Sequence, residues 1–317
     1  MVKRGEGRPG QVISWSVLKS TIVFSPVFSL VIPTKNRAEI LIQALAHLEN
    51  LSYPRSKFEV LVVNDGSTDD TRLRLEKLQV GYRLRVFHRE GQGTSATRNF
   101  GISQAEGTHI LFIDDDVFPC KDLLEYHEEA HRGHLRRLVR GPVINIPSLP
   151  LPEGSPNLVY HYSQNYLCTS NASIRKSLLV EVGMFDEGFV RWEDAELGVR
   201  LKQIGVSRHF VLRGYVYHLK PPISIERQLE YARNDGLSAA QLFQRYPSLR
   251  MRLRSGLHPL NYFRSGLLTA FPFRKVYESY LSKKPDGPLA PLATSLLAER
   301  EYLRSGREHL KNKGEQS

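Results

Sequence analysis

The sequence predicts an α/β fold, in which a mostly parallel sheet is flanked by helices and followed by a helical C-terminal extension. Over roughly the first 120 residues, short apolar runs alternate with segments that repeat apolar residues at helical spacing. The short runs are typical of strands that are buried on both faces. Strands that alternate with helices indicate a doubly wound parallel sheet. From Ile225 onward the pattern is mainly helical and rich in Arg and Tyr.

Turn and breaker residues delimit the predicted elements. Pro33 cannot donate a ladder hydrogen bond and therefore ends the first strand. The turn cluster 64–67 ends the second strand, and Ser67 with Asp70 resembles a capping box for the next helix. We predict strands at 27–33, 58–63, 83–88, 108–113, 138–146 and 208–218, helices at 38–51, 67–78, 94–104, 121–132 and 192–204, and a Pro-rich loop over the site at 147–156.

Charge divides the chain into three parts. The net charge of +11 comprises +3 in a loosely ordered lead-in at 1–25, +1 in the middle part at 26–220, and +7 in the helical region at 221–317. A basic end on a nearly neutral core fits an acidic membrane surface or an acidic polymer, and it argues against a nucleic-acid groove through the core. Alternatively, the basic region at 221–317 is an ordinary helical subdomain that packs on the middle part.

Cysteine use and hydropathy indicate the compartment. Cys120 and Cys168 have neither metal-type spacing nor the pattern of a disulfide framework, which suits a reducing environment. No stretch approaches 18 consecutive apolar residues, and the N-terminus lacks the apolar core of a signal peptide. We therefore expect a cytoplasmic protein, with the basic C-terminal region available for peripheral contact with a membrane.

Three consecutive carboxylates mark the predicted ligand edge of the sheet. The apolar run 110–113 leads directly into Asp114, Asp115 and Asp116. Clustered acids at the carboxyl end of a buried strand repel one another unless a cation is present, and a hard divalent cation is the natural occupant. The alternative is a solvated acidic turn. Asp65 ends the second strand at the same edge, where its carboxylate either accepts hydrogen bonds from a nucleobase or helps to form the turn.

Five motifs in order along 27–220 resemble the family 2 glycosyltransferases of bacterial type, which have the GT-A fold. They are Val31-Ile-Pro-Thr-Lys-Asn-Arg37, Val62-Val-Asn-Asp-Gly-Ser-Thr-Asp-Asp-Thr71, Ala96-Thr-Arg-Asn-Phe-Gly101, Phe112-Ile-Asp-Asp-Asp-Val117 and Trp192-Glu-Asp194. The resemblance implies a Rossmann-like catalytic domain at 26–220. It also implies metal-dependent, inverting transfer of a sugar from a nucleotide-diphosphate donor to a hydroxyl of a glycan or lipid-linked acceptor, as in polysaccharide and cell-envelope synthesis, with no nucleic acid as partner.

The resemblance assigns a donor site and a metal site. It implies that Asp116 ligates Mg²⁺ or Mn²⁺, that Asp114 assists, and that His218 matches a histidine used as a further metal ligand in many GT-A enzymes. A structural role for His218 and a surface salt bridge for Arg98 are the alternatives. The expected nucleotide-sugar contacts are Pro33, Thr34, Asn36, Arg37, Asp65, Arg98, Asp114 and Asp115. A UDP-sugar is the expected donor, and a dTDP- or GDP-sugar stays open.

The resemblance also assigns an acceptor side. Transfer to a hydroxyl needs a general base, and the family's Glu-Asp pair makes Asp194 that base. Glu193 would hold the acceptor, Trp192 would stack on a sugar ring, and Asn171 would border the donor sugar and acceptor. The alternative for the acidic pair is that it only favours a helix N-terminus.

Two other functions compete with this interpretation. A nucleotidyltransferase usually has a Gly-rich loop after the first strand, whereas residues 33–37 contain no glycine. A degenerate member would bind nucleotide-sugar or glycan without turnover, but degeneration typically removes the metal acids or the base, and both sets are present.

Overall fold

The computed structural model describes residues 26–163, 166–189 and 191–314, except for the side chains at 250, 254, 313 and 314. The predicted lead-in at 1–25 lies outside the described residues. The strands are β1 (Phe28–Thr34), β2 (Phe58–Asp65), β3 (Arg83–Arg89), β4 (His109–Phe112), β5 (Val117–Pro119), β6 (Arg137–Arg140), β7 (Val143–Ile146), β8 (Ala172–Arg175), β9 (Ser207–Phe210) and β10 (Val216–Leu219).

Helices connect these strands and then form the C-terminal region. They are α1 (Ala38–His47), α2 (Thr71–Lys77), α3 (Thr94–Gln104), α4 (Leu123–His131), α5 (Lys176–Glu181), α6 (Glu193–Gln203), α7 (Ile225–Arg245), α8 (Leu249–Arg254), α9 (Pro259–Leu268), α10 (Phe273–Lys283) and α11 (Ala290–Gly314). Short 3₁₀ turns occur at Leu48–Asn50, Arg55–Lys57 and Leu158–His161. Among the described residues, no helix combines the length and the hydrophobicity that crossing a bilayer requires.

The central sheet confirms the predicted α/β fold. Its strand order is β3-β2-β1-β4-β8-β6-β9. The strands β1 to β4 pair in parallel, β8 is antiparallel to both of its neighbours, and β9 is parallel to β6. A smaller sheet, in the order β5-β10-β7, lies beside it. Because Val31 is opposite both Leu61 and Phe112, the carboxyl ends of β1, β2 and β4 meet at one edge.

Both faces of the central sheet are covered, because successive side chains of β1 point to opposite sides. Leu30 and Ile32 pack into a core that includes α1, whereas Val31 packs into a second core with Phe112 and Ile102 of α3. Helix α3 lies close to the sheet, since a Cβ added at Gly101 would be 2.5 Å from a methyl carbon of Val31. This packing fixes the start of α3 near the carboxyl edge of β2.

Three sequence-based boundaries are wrong. The helix expected from Ser67 begins only at Thr71, because Asn64 Oδ1 accepts the Ser67 N–H at 3.0 Å and holds the loop open. The strand expected at 138–146 is two strands in different sheets, broken at Gly141, where a Cβ would be 1.8 Å from the Gly214 carbonyl oxygen. The strand expected at 208–218 is likewise divided into β9 and β10. The strands β5 and β8 and the helix α5 were not predicted from the sequence.

The C-terminal region is helical, as predicted, and is organised around the pair α7 and α11. Gly236 lets these helices come into contact, since a Cβ there would be 2.0 Å from the Tyr302 carbonyl oxygen. Ala239 and Leu303 are buried between them. Helices α9 and α10 also pack on α11.

Candidate active site

The acids that follow β4 lie at the carboxyl edge of the sheet, beside the residues that follow β1. Asp115 Oδ2 accepts a hydrogen bond from the Thr34 hydroxyl at 2.7 Å, and Asp115 Oδ1 lies 3.0 Å from Arg37 Nη1. Burial raises the pKa of Asp115 to about 7, although Arg37 acts in the opposite direction. Asp115 and Asp116 are buried, so the alternative of a solvated acidic turn is wrong.

Two carboxylates and an imidazole form a group that fits a divalent cation. Strand β10 pairs with β5 so that His218 is opposite Val117, next to the acids. One ligand atom each from Asp114, Asp116 and His218 lies within 4.8 Å of the others. Asp116 Oδ1 is buried, lies 3.1 Å from His218 Nε2 and makes no well-formed hydrogen bond. Two hard oxygens and one nitrogen suit Mn²⁺ or Mg²⁺.

Asp65 lies at the same edge and supports the neighbouring loop. Its two carboxylate oxygens accept hydrogen bonds from the backbone N–H groups of Gln92 and Gly93, at 2.9 and 3.1 Å. Lys35 Nζ lies 3.9 Å from the same carboxylate. Asp65 thus fixes the segment that leads into α3, and each of its oxygens retains a lone pair for a further donor.

A cavity of about 260 Å³, here called the donor cavity, brings most of the predicted donor and metal residues together. Lys35, Thr94 and Thr97 also line it, although the sequence analysis did not single them out; the Lys35 position within the first motif was the available signal. The lining residues are Pro33, Thr34, Lys35, Arg37, Asp65, Thr94, Thr97, Arg98, Asp114, Asp115, Asp116 and His218.

Asn36 does not line the donor cavity, and its contact with the nucleotide-sugar stays a prediction. Its backbone is left-handed, with φ of 54°. Its Oδ1 accepts the Thr68 N–H at 2.7 Å, and its own N–H donates to Ser67 Oγ at 2.8 Å. Asn36 therefore joins the loop after β1 to the loop after β2.

Arg98 is buried and connects the two acid sets. Its Nη2 lies 2.8 Å from Asp114 Oδ1, and its Nη1 lies 2.8 Å from Glu193 Oε1. Burial alone would lower the pKa of Arg98, but the negative charges of Asp114 and Glu193 outweigh it and raise the pKa. The alternative of a surface salt bridge is wrong, since only 4% of Arg98 is exposed. Ser170, which the sequence analysis missed, donates to Asp114 Oδ2 at 2.7 Å.

Asp194 lies in the first turn of α6, directly after the residue that Arg98 holds. Burial raises the pKa of Asp194 to about 6, and the charge of Glu193 adds to the effect. A carboxylate with this pKa is a better proton acceptor near neutral pH than an ordinary Asp, whose pKa is about 3.9. The charges of Arg98 and Asp114 also act on Asp194, which indicates that it lies near the donor cavity.

Asp194 also lines a second cavity of about 350 Å³, here called the α6 cavity. One wall comes from α6 and the segment before it, and the other comes from the C-terminal helices. The sequence carried no signal for this second wall, because Leu242, Met251 and Ser255 are distant from α6 along the chain. The lining residues are Tyr166, Leu167, Trp192, Asp194, Ala195, Gly198, Val199, Lys202, Leu242, Met251 and Ser255.

Trp192 borders the α6 cavity but is already engaged by the C-terminal helices. It has a left-handed backbone, with φ of 63°, immediately before α6. Its indole N–H donates to Asp235 at 3.1 Å, and its ring centroid lies 6.3 Å from that of Tyr302. These contacts hold the indole at the rim of the cavity.

Asn171 lines neither cavity, and its place beside the donor sugar and acceptor stays a prediction. The residue is fully buried. Its Nδ2 donates to the carbonyl oxygens of Pro142 and Gly214, at 3.0 and 2.8 Å. Asn171 therefore holds together two backbone segments where the strands change sheets.

Comparison with known proteins agrees with this geometry. The family model described as glycosyl transferase family 2 matches residues 29–179. The glycosyltransferase AglE of Haloferax volcanii is 30% identical, over 58% of this chain and 64% of that protein. The uncharacterized glycosyltransferase YfnE of Bacillus subtilis is 27% identical, over 56% of this chain and 61% of that protein. The chain thus covers less than two thirds of the length of either relative.

Solved structures share the fold at low sequence identity. The mannosyltransferase PcManGT of Pyrobaculum calidifontis, in complex with GDP-Man and Mn²⁺, has a TM-score of 0.65 at 15% identity and covers 90% of this chain and 88% of its own. The fragment 1–349 of TarS of Staphylococcus aureus, in complex with UDP-GlcNAc, has a TM-score of 0.52 at 21% identity and covers 90% and 92%. The fold, the order of the motifs and the match over residues 29–179 thus make this part of the chain similar to glycosyl transferase family 2, and the chain has the GT-A fold.

Proposed function

We propose that this protein is a metal-dependent, inverting glycosyltransferase that moves a sugar from a nucleotide-diphosphate donor to a hydroxyl of a glycan or lipid-linked acceptor. The observation that carries the proposal is the link between the metal-type cluster of Asp114, Asp116 and His218 and the partly buried carboxylate of Asp194. Arg98 contacts both Asp114 and Glu193, so the two acid sets form one charged unit across the donor and α6 cavities.

Asp194 is the proposed general base. In one displacement, its carboxylate accepts the proton of the acceptor hydroxyl while the hydroxyl oxygen forms a bond to the anomeric carbon. The bond from that carbon to the donor phosphate breaks from the opposite face, which inverts the anomeric configuration. A base with a pKa of about 6 is charged at neutral pH and still basic enough to share a proton in the transition state.

Asp114, Asp116 and His218 are the proposed ligands of Mg²⁺ or Mn²⁺. When bound, such an ion supplies positive charge against the diphosphate oxygens. Arg37 stands beside the same acids, 2.7 Å from Asp116 Oδ2 and 3.0 Å from Asp115 Oδ1, and adds a fixed cation at this edge. Its side chain is partly exposed to the cavity, so it is positioned to bind a phosphate oxygen as well.

Asp65 and Thr34 are proposed donor contacts, together with Pro33, Arg37, Arg98, Asp114 and Asp115. Asp65 retains lone pairs that face the donor cavity and suit the N–H groups of a pyrimidine or purine base. A UDP-sugar is our first candidate. A GDP-sugar is the second, because the PcManGT structure contains GDP-Man.

Trp192, at the rim of the α6 cavity, and Glu193, which precedes Asp194 in α6, are proposed to hold the acceptor. We propose that residues 26–220 form the catalytic domain and that residues 221–317 complete the acceptor wall through Leu242, Met251 and Ser255. Both cysteines are free, which supports a place in the cytoplasm, and we propose that the basic C-terminal region makes the enzyme peripheral on the membrane.

Donor binding tests the proposal directly. Isothermal titration calorimetry with UDP-, GDP- and dTDP-sugars is carried out with Mn²⁺ and then with a chelator. The sugars of one of these three nucleotides should bind, and only in the presence of metal. A nucleotidyltransferase would instead release diphosphate from a nucleoside triphosphate and a sugar phosphate. If none of the nucleotide-sugars binds with metal present, the proposal is wrong.

A further inference from the structure

The excess positive charge of the C-terminal region is confined to one segment. Residues 221–248 hold 3 Lys+Arg against 3 Asp+Glu, and residues 285–317 hold 5 against 5. Residues 249–284, here called the basic segment, hold 8 against a single Glu, which gives a net charge of +7. The basic segment contains α8, α9 and α10, so the charge is concentrated on three consecutive helices.

Large apolar side chains are exposed on this same segment. On α9, Leu260, Phe263 and Leu267 have the spacing of one helical face and are 74%, 74% and 61% exposed. Further exposed apolar residues continue the surface along α8, the turn after α9 and α10: Leu249, Leu253, Leu268, Phe271, Phe273 and Val276. Helices α9 and α10 pack on α11 through other residues, so the described chain does not cover these side chains. Exposed apolar side chains that are concentrated on one segment in this way mark an interaction site.

Lysines border the apolar surface and form a groove. Lys275, Lys283 and Lys284 line a shallow cavity of about 450 Å³ together with Pro272, Val276, Ser279 and Tyr280. Within the described part of the chain, none of these lysines has a carboxylate within ion-pair distance. Lys275 Nζ lies 5.1 Å from the ring centroid of Phe271. The groove therefore offers unneutralised ammonium groups directly beside exposed aromatic and aliphatic side chains.

We propose that the basic segment binds the surface of a bilayer that contains anionic lipids. The lysines would contact lipid phosphates, and the apolar residues of α9 and the turn after it would enter the boundary between headgroups and acyl chains, as in amphipathic interfacial helices. A second copy of the chain is a poor occupant, since its own basic segment, with a net charge of +7, would lie against the equally charged segment of the first copy. A soluble polyanion would satisfy the lysines but leave Leu260, Phe263 and Leu267 in water.

The position of α8 connects this surface to the α6 cavity. Met251 and Ser255 line the cavity, whereas Leu249 and Leu253 are exposed. A bilayer bound to the basic segment therefore lies next to one wall of the cavity that contains Asp194. If the proposed function holds, the acceptor is lipid-linked and reaches Asp194 past α8; the membrane binding itself does not depend on the proposed function.

Vesicle co-sedimentation of the full chain tests the inference. Vesicles of phosphatidylcholine alone are compared with vesicles that contain about 30% phosphatidylglycerol, at low and high salt. The test variant carries Lys275→Gln, Lys283→Gln and Lys284→Gln. Its control carries Lys57→Gln, Lys77→Gln and Lys121→Gln, which remove the same amount of charge at exposed sites of the catalytic domain. Each lysine near an anionic surface contributes about 1 kcal/mol, or about a fivefold change, so the first variant should bind on the order of a hundredfold more weakly.

A second pair of variants tests the apolar contribution. A variant that combines Leu260→Ser, Phe263→Ser and Leu267→Ser should bind anionic vesicles more weakly. Its remaining binding should be more sensitive to salt than that of the unmodified chain. Leu73→Ser, Leu135→Ser and Val180→Ser remove three apolar side chains that are 58–67% exposed elsewhere and should leave binding unchanged. Donor titration on all variants should be unaltered, which separates membrane binding from the proposed function.

The inference is overturned if the unmodified chain does not bind anionic vesicles, or if the control variants weaken binding as much as the test variants. It is also overturned if the α9 variant changes only the oligomeric state measured by light scattering, because a second copy would then cover the surface. Binding to anionic vesicles without any donor binding would support the inference while refuting the proposed function.

Discussion

Replacement of Arg98 by Met should destabilise the protein strongly, because it removes a buried cation that pairs with two partly buried acids. The Arg98 guanidinium makes charge-assisted hydrogen bonds of 2.8 Å to both Asp114 and Glu193. Its side chain is only 5% exposed. Removal of one partner of a buried ion pair typically costs about 3–5 kcal/mol, since the remaining charge is left without compensation. We therefore expect the free energy of unfolding to fall by about 3–5 kcal/mol at pH 7.

Urea unfolding followed by circular dichroism measures this change, with Arg136→Met as the matched control. Arg136 also makes two hydrogen bonds to a carboxylate, that of Glu181, but the pair is exposed to solvent. Surface pairs of this kind contribute little. The midpoint of Arg98→Met should shift far more than that of Arg136→Met. Equal shifts would refute the reasoning that Arg98 is the buried link between the two acid sets.

Three further predictions concern the roles of single side chains. The pKa of Asp194 is raised to about 6, and its charged form accepts the proton, so kcat/KM for transfer should fall about tenfold per pH unit below pH 6 and level off above it. A pH profile without this fall at acidic pH would contradict the assignment of Asp194 as the base. Asp116→Asn should weaken Mn²⁺ binding at least about 100-fold in calorimetry with nucleotide present, because even residues that only contact a metal ligand contribute about 10–100-fold to metal affinity. His218→Ala should weaken Mn²⁺ binding less severely. Asn171→Ala should lower the free energy of unfolding by about 1–3 kcal/mol, because the buried Gly214 carbonyl oxygen loses its side-chain donor and that of Pro142 keeps only the Val216 N–H. The affinity for the nucleotide-sugar should stay unchanged.

The sequence was sufficient to predict the parts of the fold and site that depend on local pattern. The runs that became β1, β2 and β4 are continuous apolar segments, and each leads into polar residues at the carboxyl edge. The parallel register then brings Thr34 beside Asp115 and Asp65 into the same cavity. The cluster of Asp114, Asp116 and His218 required the resemblance as well, because nothing local in the sequence connects residue 218 to residue 116.

The remaining features depend on contacts between distant parts of the chain. The break between β6 and β7 follows from the approach of the Gly214 backbone to Gly141, which no pattern near residue 141 encodes. Asn36 and Asn171 stand in motif segments, but their side chains bond to backbone groups that only the folded chain brings near. The wall of the α6 cavity from α7 and α8 likewise depends on how the C-terminal helices pack.

The most direct test of the account compares the wild-type protein with Asp194→Asn for donor binding and turnover, with Mn²⁺ and with a chelator. We expect that one nucleotide-sugar binds both proteins only when Mn²⁺ is present, and that only the wild type hydrolyses it or transfers its sugar. Retained turnover in Asp194→Asn would contradict the assignment of the base. Absence of metal-dependent donor binding in the wild type would contradict the donor cavity itself.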